Sequence, residues 1–321
     1  MTADQPTTPD DAATADRPPT DDRTDADASR MPRPGAPGWT VTTTTGTAAD
    51  LHDRAEPEPA DHRVWIHTIT APALVLGSTQ DATVVDRRAA TAHGVEICRR
   101  RTGGGLVDLV PGRHCWIDVI IPATSPWWEA DVGRAFHWLG EVWARTVADL
   151  VTADHQVTVH RDRPRRREAG RVICFAGVGA GEVILRPATL DLPPHPTPPP
   201  RPTLPVGAKV VGAKVVGLSQ RRWRTGARFQ GALLWDWTPE LLASYLHPAA
   251  LATDGIRLDQ LAIGLPAGAG RGPLDADRVA RRFLSHLPDP DRPTGGEPQV
   301  TGGRTTNEPD GNGLSRIPST D

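Results

Sequence analysis

The chain is poor in cysteine, tyrosine and, most of all, lysine. Its 321 residues include three cysteines, one tyrosine (Tyr245) and 36 basic residues, of which only Lys209 and Lys214 are lysine. Three cysteines cannot build a disulfide framework, and the gaps between Cys98, Cys115 and Cys174 match no metal-ligand spacing. No run approaches the ~18 apolar residues of a membrane-spanning helix. The N-terminus has no apolar core of a secretory signal. A reduced, soluble, cytoplasmic protein with no membrane partner and no bound metal is the expectation. The formal net charge of −3 also argues against nucleic-acid binding, which calls for a strongly basic face.

That charge is unevenly spread. Residues 1–38 hold eight aspartates and four arginines, and residues 288–321 hold six acids and three arginines. Both stretches lack the apolar residues that would offset chain entropy, so they read as disordered acidic tails. The tails carry −4 and −3 of the total −3, which leaves +4 for residues 39–287. That remainder suffices for one large domain at 39–250 with a short helical extension at 251–287. Inside it, 187–205 contains nine prolines in nineteen residues and can be neither helix nor central strand. It reads as a surface insertion or, through its PxxP spacing, as a polyproline II ligand. Directly after it the pentapeptide Gly-Ala-Lys-Val-Val occurs twice, at 207–211 and 212–216. An odd insertion flips every later strand residue to the other face, so only one copy can occupy the working register.

Periodicity predicts strands over 64–70, 73–78, 95–100, 114–121, 157–161, 171–176, 182–186, 214–220 and 227–235. It predicts helices over 81–93, 131–150, 239–246 and 275–287. Strands outnumber helices and no strict βαβ alternation appears. The expected class is therefore α+β, with a central mixed or antiparallel sheet flanked by helices.

Three segments could carry chemistry. Arg99, Arg100, Arg101 and Thr102 lead into Gly103-Gly104-Gly105. Such glycines let backbone N–H groups approach an anion, and flanking guanidinium groups supply bidentate donors. The alternative is a flexible hairpin loop with solvated arginines. Lys214 opens Lys214-Val215-Val216-Gly217-Leu218-Ser219-Gln220-Arg221. Strict alternation would put Lys214, Val216 and Leu218 on one face, and a lysine on an apolar strand needs an anionic partner. Cys174 ends an apolar run before a glycine-rich turn; beside Lys214 it would be a thiolate nucleophile. Cys98 and Cys115 read as small buried hydrophobes. His137 and the pair Trp127-Trp128 read as structural.

Taken together these segments resemble the lipoate ligase branch of the biotin/lipoate protein ligase family. Arg99-Arg100-x-Thr102-Gly103-Gly104-Gly105-x-Val107 is similar to its RRx(S/T)GGGxV loop. Lys214-x-x-Gly217-x-Ser219-Gln220-Arg221 is similar to its K-x-x-G-S-x-Q-R strand, and Gly77-x-x-Gln80 to an early ligand-facing turn. The resemblance spans roughly 60–240. It implies transfer of lipoyl or octanoyl to a lysine of a lipoyl-carrier domain or glycine-cleavage H-type protein. In the ligase form ATP and Mg²⁺ convert the acid to acyl-AMP, with Lys214 on the carboxylate and α-phosphate and the arginine-flanked loop around the phosphate. The acyl tail would lie among Leu74, Leu76, Val107 and Val216. The family's H-D-x-G-N stretch is replaced here by Leu109-Val110-Pro111-Gly112-Arg113. Cys174 matches the thioester nucleophile of related octanoyltransferases, which draw octanoyl from acyl-carrier protein without ATP. A third reading is a non-catalytic acyl-binding or regulatory homologue.

Overall fold

The computed structural model describes residues 36–58, 60–164, 169–188, 212–252, 256–261 and 263–291. Lys209, most of the proline-rich segment and nearly all of both terminal stretches lie outside these residues.

Among the described residues ten strands form two sheets. They are β1 Thr40–Gly46, β2 Arg63–Ile69, β3 Ala73–Leu76, β4 Glu96–Arg99, β5 Val107–Leu109, β6 His114–Pro122, β7 His155–Val159, β8 Val183–Pro187, β9 Ala213–Arg222 and β10 Gly226–Leu234. The large sheet has the order β1-β2-β6-β10-β9-β8-β7, and the small one the order β4-β3-β5. The large sheet is antiparallel except for the parallel β1–β2 pair, and β3–β4 is also parallel. A mixed sheet with flanking helices is the class the sequence predicts.

β6 alternates its side chains between two cores. Cys115, Ile117, Val119 and Ile121 pack under α3 (His137–Leu150) and a later helix, Ala276–His286. Their helical stripes supply Leu139, Val142, Trp143, Val147, Val279 and Phe283, all buried there. Trp116 belongs to the second core, which the small sheet covers with Leu74, Val75, Leu76, Leu106 and Leu109. The candidate site lies on this second face. Among the described residues no helix is long and apolar enough to cross a membrane.

Several predicted elements differ from those observed. The helix expected over 81–93 is a 3₁₀ turn, Ala82–Val84, and a separate α2, Arg87–Ala92. Between them Val85 adopts an extended conformation and bridges to Leu246, and Asp81 and Asp86 each cap a piece. The strand expected over 171–176 is a helical turn, Ala169–Val172, followed by a 3₁₀ turn, Cys174–Ala176. β-branched Val172 and Ile173 suggest a strand, yet only a single bridge, Leu106 to Ile173, forms there. β1, the short β5 and α1 (Ala48–Asp53) are unpredicted.

Candidate active site

The glycine loop is held by its own arginines. The Arg100 guanidinium is buried and donates to the carbonyls of Val75 (3.0 Å), Gly103 (2.8 Å) and Gly105 (2.8 Å). Arg99 donates to the carbonyls of Gly77 (2.5 Å) and Gln80 (2.8 Å), bracing the Gly77–Gln80 turn. Gln80 completes that brace: it accepts from the Gly77 N–H and donates to the Val172 carbonyl at 2.9 Å. The loop then crosses the turn so closely that a Cβ on Gly77 would sit 1.9 Å from the Gly104 carbonyl oxygen. Gly104 itself has φ +106°, which favours glycine. Thr102 is buried, and its N–H···O partnership runs through its carbonyl, which accepts from Ser78. Gly77, Gln80 and Arg99 therefore shape the loop.

β9 carries the lysine through an irregularity. Val183 pairs with Val216 but Ile184 pairs with Lys214, leaving Val215 as a bulge. The expectation that Lys214, Val216 and Leu218 share a face is thus overturned: the extra residue sends both Val215 and Val216 into the helix-side core. Lys214 and Gly217 come to the same side, since a Cβ on Gly217 would lie 3.4 Å from the Lys214 Cε. Beyond the bulge, alternation puts Ser219 opposite Gln230 and Arg221 opposite Arg228 on the site face. Gln220 pairs opposite Phe229, on the helix side, and accepts from Arg222 at 3.1 Å; it does not reach the site.

Lys214 and Cys174 lie side by side, the condition on which the sequence reading makes Cys174 a nucleophile. The Lys214 Nζ lies 3.9 Å from the Cys174 Sγ and donates to the Cys174 carbonyl at 3.0 Å. A third group is unpredicted: the Glu182 carboxylate lies 2.7 Å from Nζ, with the two side chains only 3% and 6% exposed. Glu182 is itself fixed by the N–H groups of Gly179 (2.6 Å) and Leu218 (3.2 Å). Burial would lower the Lys214 ammonium, but Cys174 and Glu182 outweigh it and raise it above the ordinary lysine value. Its sequence signal is slight: one acid wedged between a glycine turn and an apolar strand. Of the other thiols, burial pushes Cys98 up to about 12, and Cys115 is buried in the helix-side core.

Beside Cys174 opens a cavity with about 530 Å³ of unfilled space, part of it continuous with solvent. Its apolar walls include Val75, Val107, Leu109, Trp116, Phe175 and Ala232. Arg100, Gly103, Gly217 and Ser219 also border it. Val107 lines it as expected; Leu74, Leu76 and Val216 do not, because register turns Val75 inward instead and the bulge turns Val216 away.

His52, from α1, and Gln230 form a polar patch on this wall, 3.3 Å apart, with the His52 ring 4.3 Å from that of Trp116. Behind them Asp118 accepts from the Trp116 indole (2.7 Å), from Arg228 Nε (2.7 Å) and lies 3.0 Å from His67. None of these residues stands out in sequence, since each is an isolated polar residue within an apolar strand or short helix. Burial holds His52 down at about 3. It is neutral when folded but takes a proton below pH ~6.5 when unfolded, so stability should fall as pH drops from 6.5 toward 3 by up to ~1.4 kcal/mol per pH unit. His52→Gln should flatten urea-derived stability between pH 7 and 5 by about that slope; an unchanged slope contradicts it.

One face of the mixed sheet thus carries a buried lysine–carboxylate pair, a half-buried cysteine and an arginine-braced glycine loop beside an apolar cavity. Residues 48–258 match the family model described as "Lipoyl protein ligase A/B catalytic domain". The chain belongs to that family and is an enzyme of the lipoate–protein ligase kind. No curated protein sequence matches it. The chain is similar to the bipartite lipoate protein ligase of Thermoplasma acidophilum, solved in a study of that ligase and its E2 lipoyl domain. The likeness has 14% identity and TM-score 0.50, and covers 78% of this chain and 82% of that one; at that identity it speaks for the fold. A lipoate-protein ligase A structure bound with ATP also matches at 13% identity and TM-score 0.46, over 78% and 83% of the two chains.

Proposed function

We propose that this enzyme moves a medium-chain acyl group, octanoyl or lipoyl, from an acyl-carrier thioester to a lysine of a lipoyl-carrier domain or glycine-cleavage H-type protein by way of Cys174. The observation that carries this reading is the Cys174 Sγ on the wall of an apolar cavity, 3.9 Å from a buried ammonium. In the first step Sγ attacks the carrier's thioester carbonyl; the carbon–sulfur bond to the carrier breaks, and the carrier leaves as a thiol with the Cys174 proton. In the second, the acceptor's neutral amine attacks the Cys174 thioester; the C–N amide bond forms, and the amine proton ends on the restored thiol. The Lys214 ammonium, buried beside Cys174, stabilises through its field the oxyanion of each tetrahedral intermediate.

The ATP-dependent ligase reading is favoured by the family match. The local residues fit a nucleotide poorly. Arg99 and Arg100 spend guanidinium donors on backbone carbonyls rather than offering them to a phosphate. In the thioester reading neither ATP nor Mg²⁺ takes part.

Mixing the enzyme with octanoyl-carrier protein, without ATP, should give an octanoyl adduct by intact mass that hydroxylamine removes. Cys174→Ala should give none, and adding a lipoyl-carrier domain should discharge the wild-type adduct. Full activity in Cys174→Ala, or octanoate-dependent ATP–pyrophosphate exchange in its place, would favour the ligase.

A further inference from the structure

The site holds two groups able to accept an acyl chain, and only one of them is useful. If Cys174 carries the acyl group, the thioester carbonyl carbon is one bond from Sγ, and Lys214 Nζ lies 3.9 Å from that sulfur. A neutral amine at that distance would capture the acyl group. The step balances simply: the Nζ lone pair attacks the thioester carbonyl, a C–N amide bond forms, and the C–S bond breaks. Cys174 leaves as a thiol with the amine's proton, and Lys214 is left as a dead amide. Thioesters transfer to amines readily and amides do not return, so the enzyme would inactivate itself.

We propose that Glu182 protects the acyl-enzyme by holding Lys214 as an ammonium ion, which has no lone pair to attack Cys174's thioester. This deepens the thioester reading above and rests on it. Three features support it. Among the described residues Glu182 is the carboxylate in contact with Nζ, at 2.7 Å, and two backbone N–H groups hold it there. The other groups facing Lys214 cannot replace it. Phe175 offers only a ring face, 4.8 Å from Nζ. Arg100 is a cation and acts against a charged lysine. Cys174 supports the ammonium only while it is a thiolate, and acylation removes that charge. The pair is also buried from solvent, and a buried lysine without a carboxylate would tend toward the neutral amine. The Cys174 carbonyl accepts a second Nζ hydrogen, which holds the ammonium in place but carries no charge. The carboxylate is therefore needed most at the stage when the thioester exists.

The test uses octanoyl-carrier protein as acyl donor with wild type, Glu182→Gln and Glu182→Asp. Each adduct is treated with hydroxylamine, which cleaves thioesters and spares amides, and the remaining octanoyl group is mapped by peptide mass spectrometry. Wild type and Glu182→Asp should lose the octanoyl group almost completely. Glu182→Gln should accumulate a hydroxylamine-stable adduct on Lys214 at least ten times faster than wild type. A Glu182→Gln adduct that stays on Cys174 and is as labile as wild type overturns the proposal. Should Glu182→Gln fail to fold, wild-type acyl-enzyme incubated at pH 7 and pH 9 decides: no transfer to Lys214 supports the guard, and transfer overturns it. Absence of any adduct on wild type overturns the thioester reading itself.

Discussion

Lys214→Ala should lower acyl transfer by about 10²–10³-fold, the loss seen when a preorganised charge facing a developing anion is removed. Lys209→Ala, in the other pentapeptide copy, should leave transfer essentially unchanged. The reason is register. The bulge at Val215 puts Lys214 on the same side as Gly217 and against Cys174, with its ammonium nearly removed from water. In such a setting an ion's field is screened far less than at the surface. The substitution also leaves Glu182 buried without a cation, which costs about 3–5 kcal/mol when a buried pair loses one member. The double variant Lys214→Met/Glu182→Gln removes both charges and should recover most of that stability while staying inactive. Steady-state transfer to a lipoyl-carrier domain, alongside urea unfolding, separates the two effects. Near-normal transfer in Lys214→Ala, or loss in Lys209→Ala, would assign the working register to the first copy.

Asp118→Ala should destabilise the fold by about 3–5 kcal/mol, because it strips a buried cation of its partner. The Asp118 carboxylate is fully buried and takes hydrogen bonds from Arg228 and the Trp116 indole. Arg228 in turn donates to the carbonyls of Leu51 (2.9 Å) and Arg54 (3.1 Å), so the same charge pair ties α1 to the sheet. That tie sets the position of His52 on the cavity wall, so transfer should suffer as well. Burial alone would raise the Asp118 carboxyl, but the nearby Arg228 and His67 prevail and hold it far below its ordinary value of 3.8. A carboxylate depressed in this way contributes stability above its unfolded value, and the contribution is lost as pH falls through the folded one. The wild type should therefore lose stability on acidification below pH ~4, and Asp118→Ala should lose that part of the dependence. A urea midpoint close to wild type, converted at a common slope to less than about 1 kcal/mol, would refute the argument.

The motifs that sequence reading finds are those built from neighbours in the chain. The glycine loop, its two arginines and the lysine strand are each a short run whose residue types point to one chemistry. Their detailed roles are not legible. Arg99 and Arg100 suggest anion binding in sequence, yet both hold backbone carbonyls, because the loop must fold back over Gly77 and its carbonyl oxygens need donors there. Gln220 belongs to the motif but faces the helices, since one residue along a strand reverses its direction. Glu182 stands 32 positions before Lys214 in the chain and is joined to it only through the pairing of β8 with β9. The catalytic candidates Cys174 and Lys214 can be named from sequence. The third member of their cluster cannot.

The sequence by itself determined the class of fold, the family and the scarcity of lysine that made Lys214 conspicuous among arginines. It did so because hydrophobic periodicity and contiguous motifs are local properties. The tertiary structure decided which face each strand residue takes and which charges meet in the interior. A single bulge at Val215 sets the orientation of Lys214, and the pairing of distant strands brings Glu182 to it. Both depend on contacts between segments far apart in the chain, where the low dielectric of the interior gives a charge its effect.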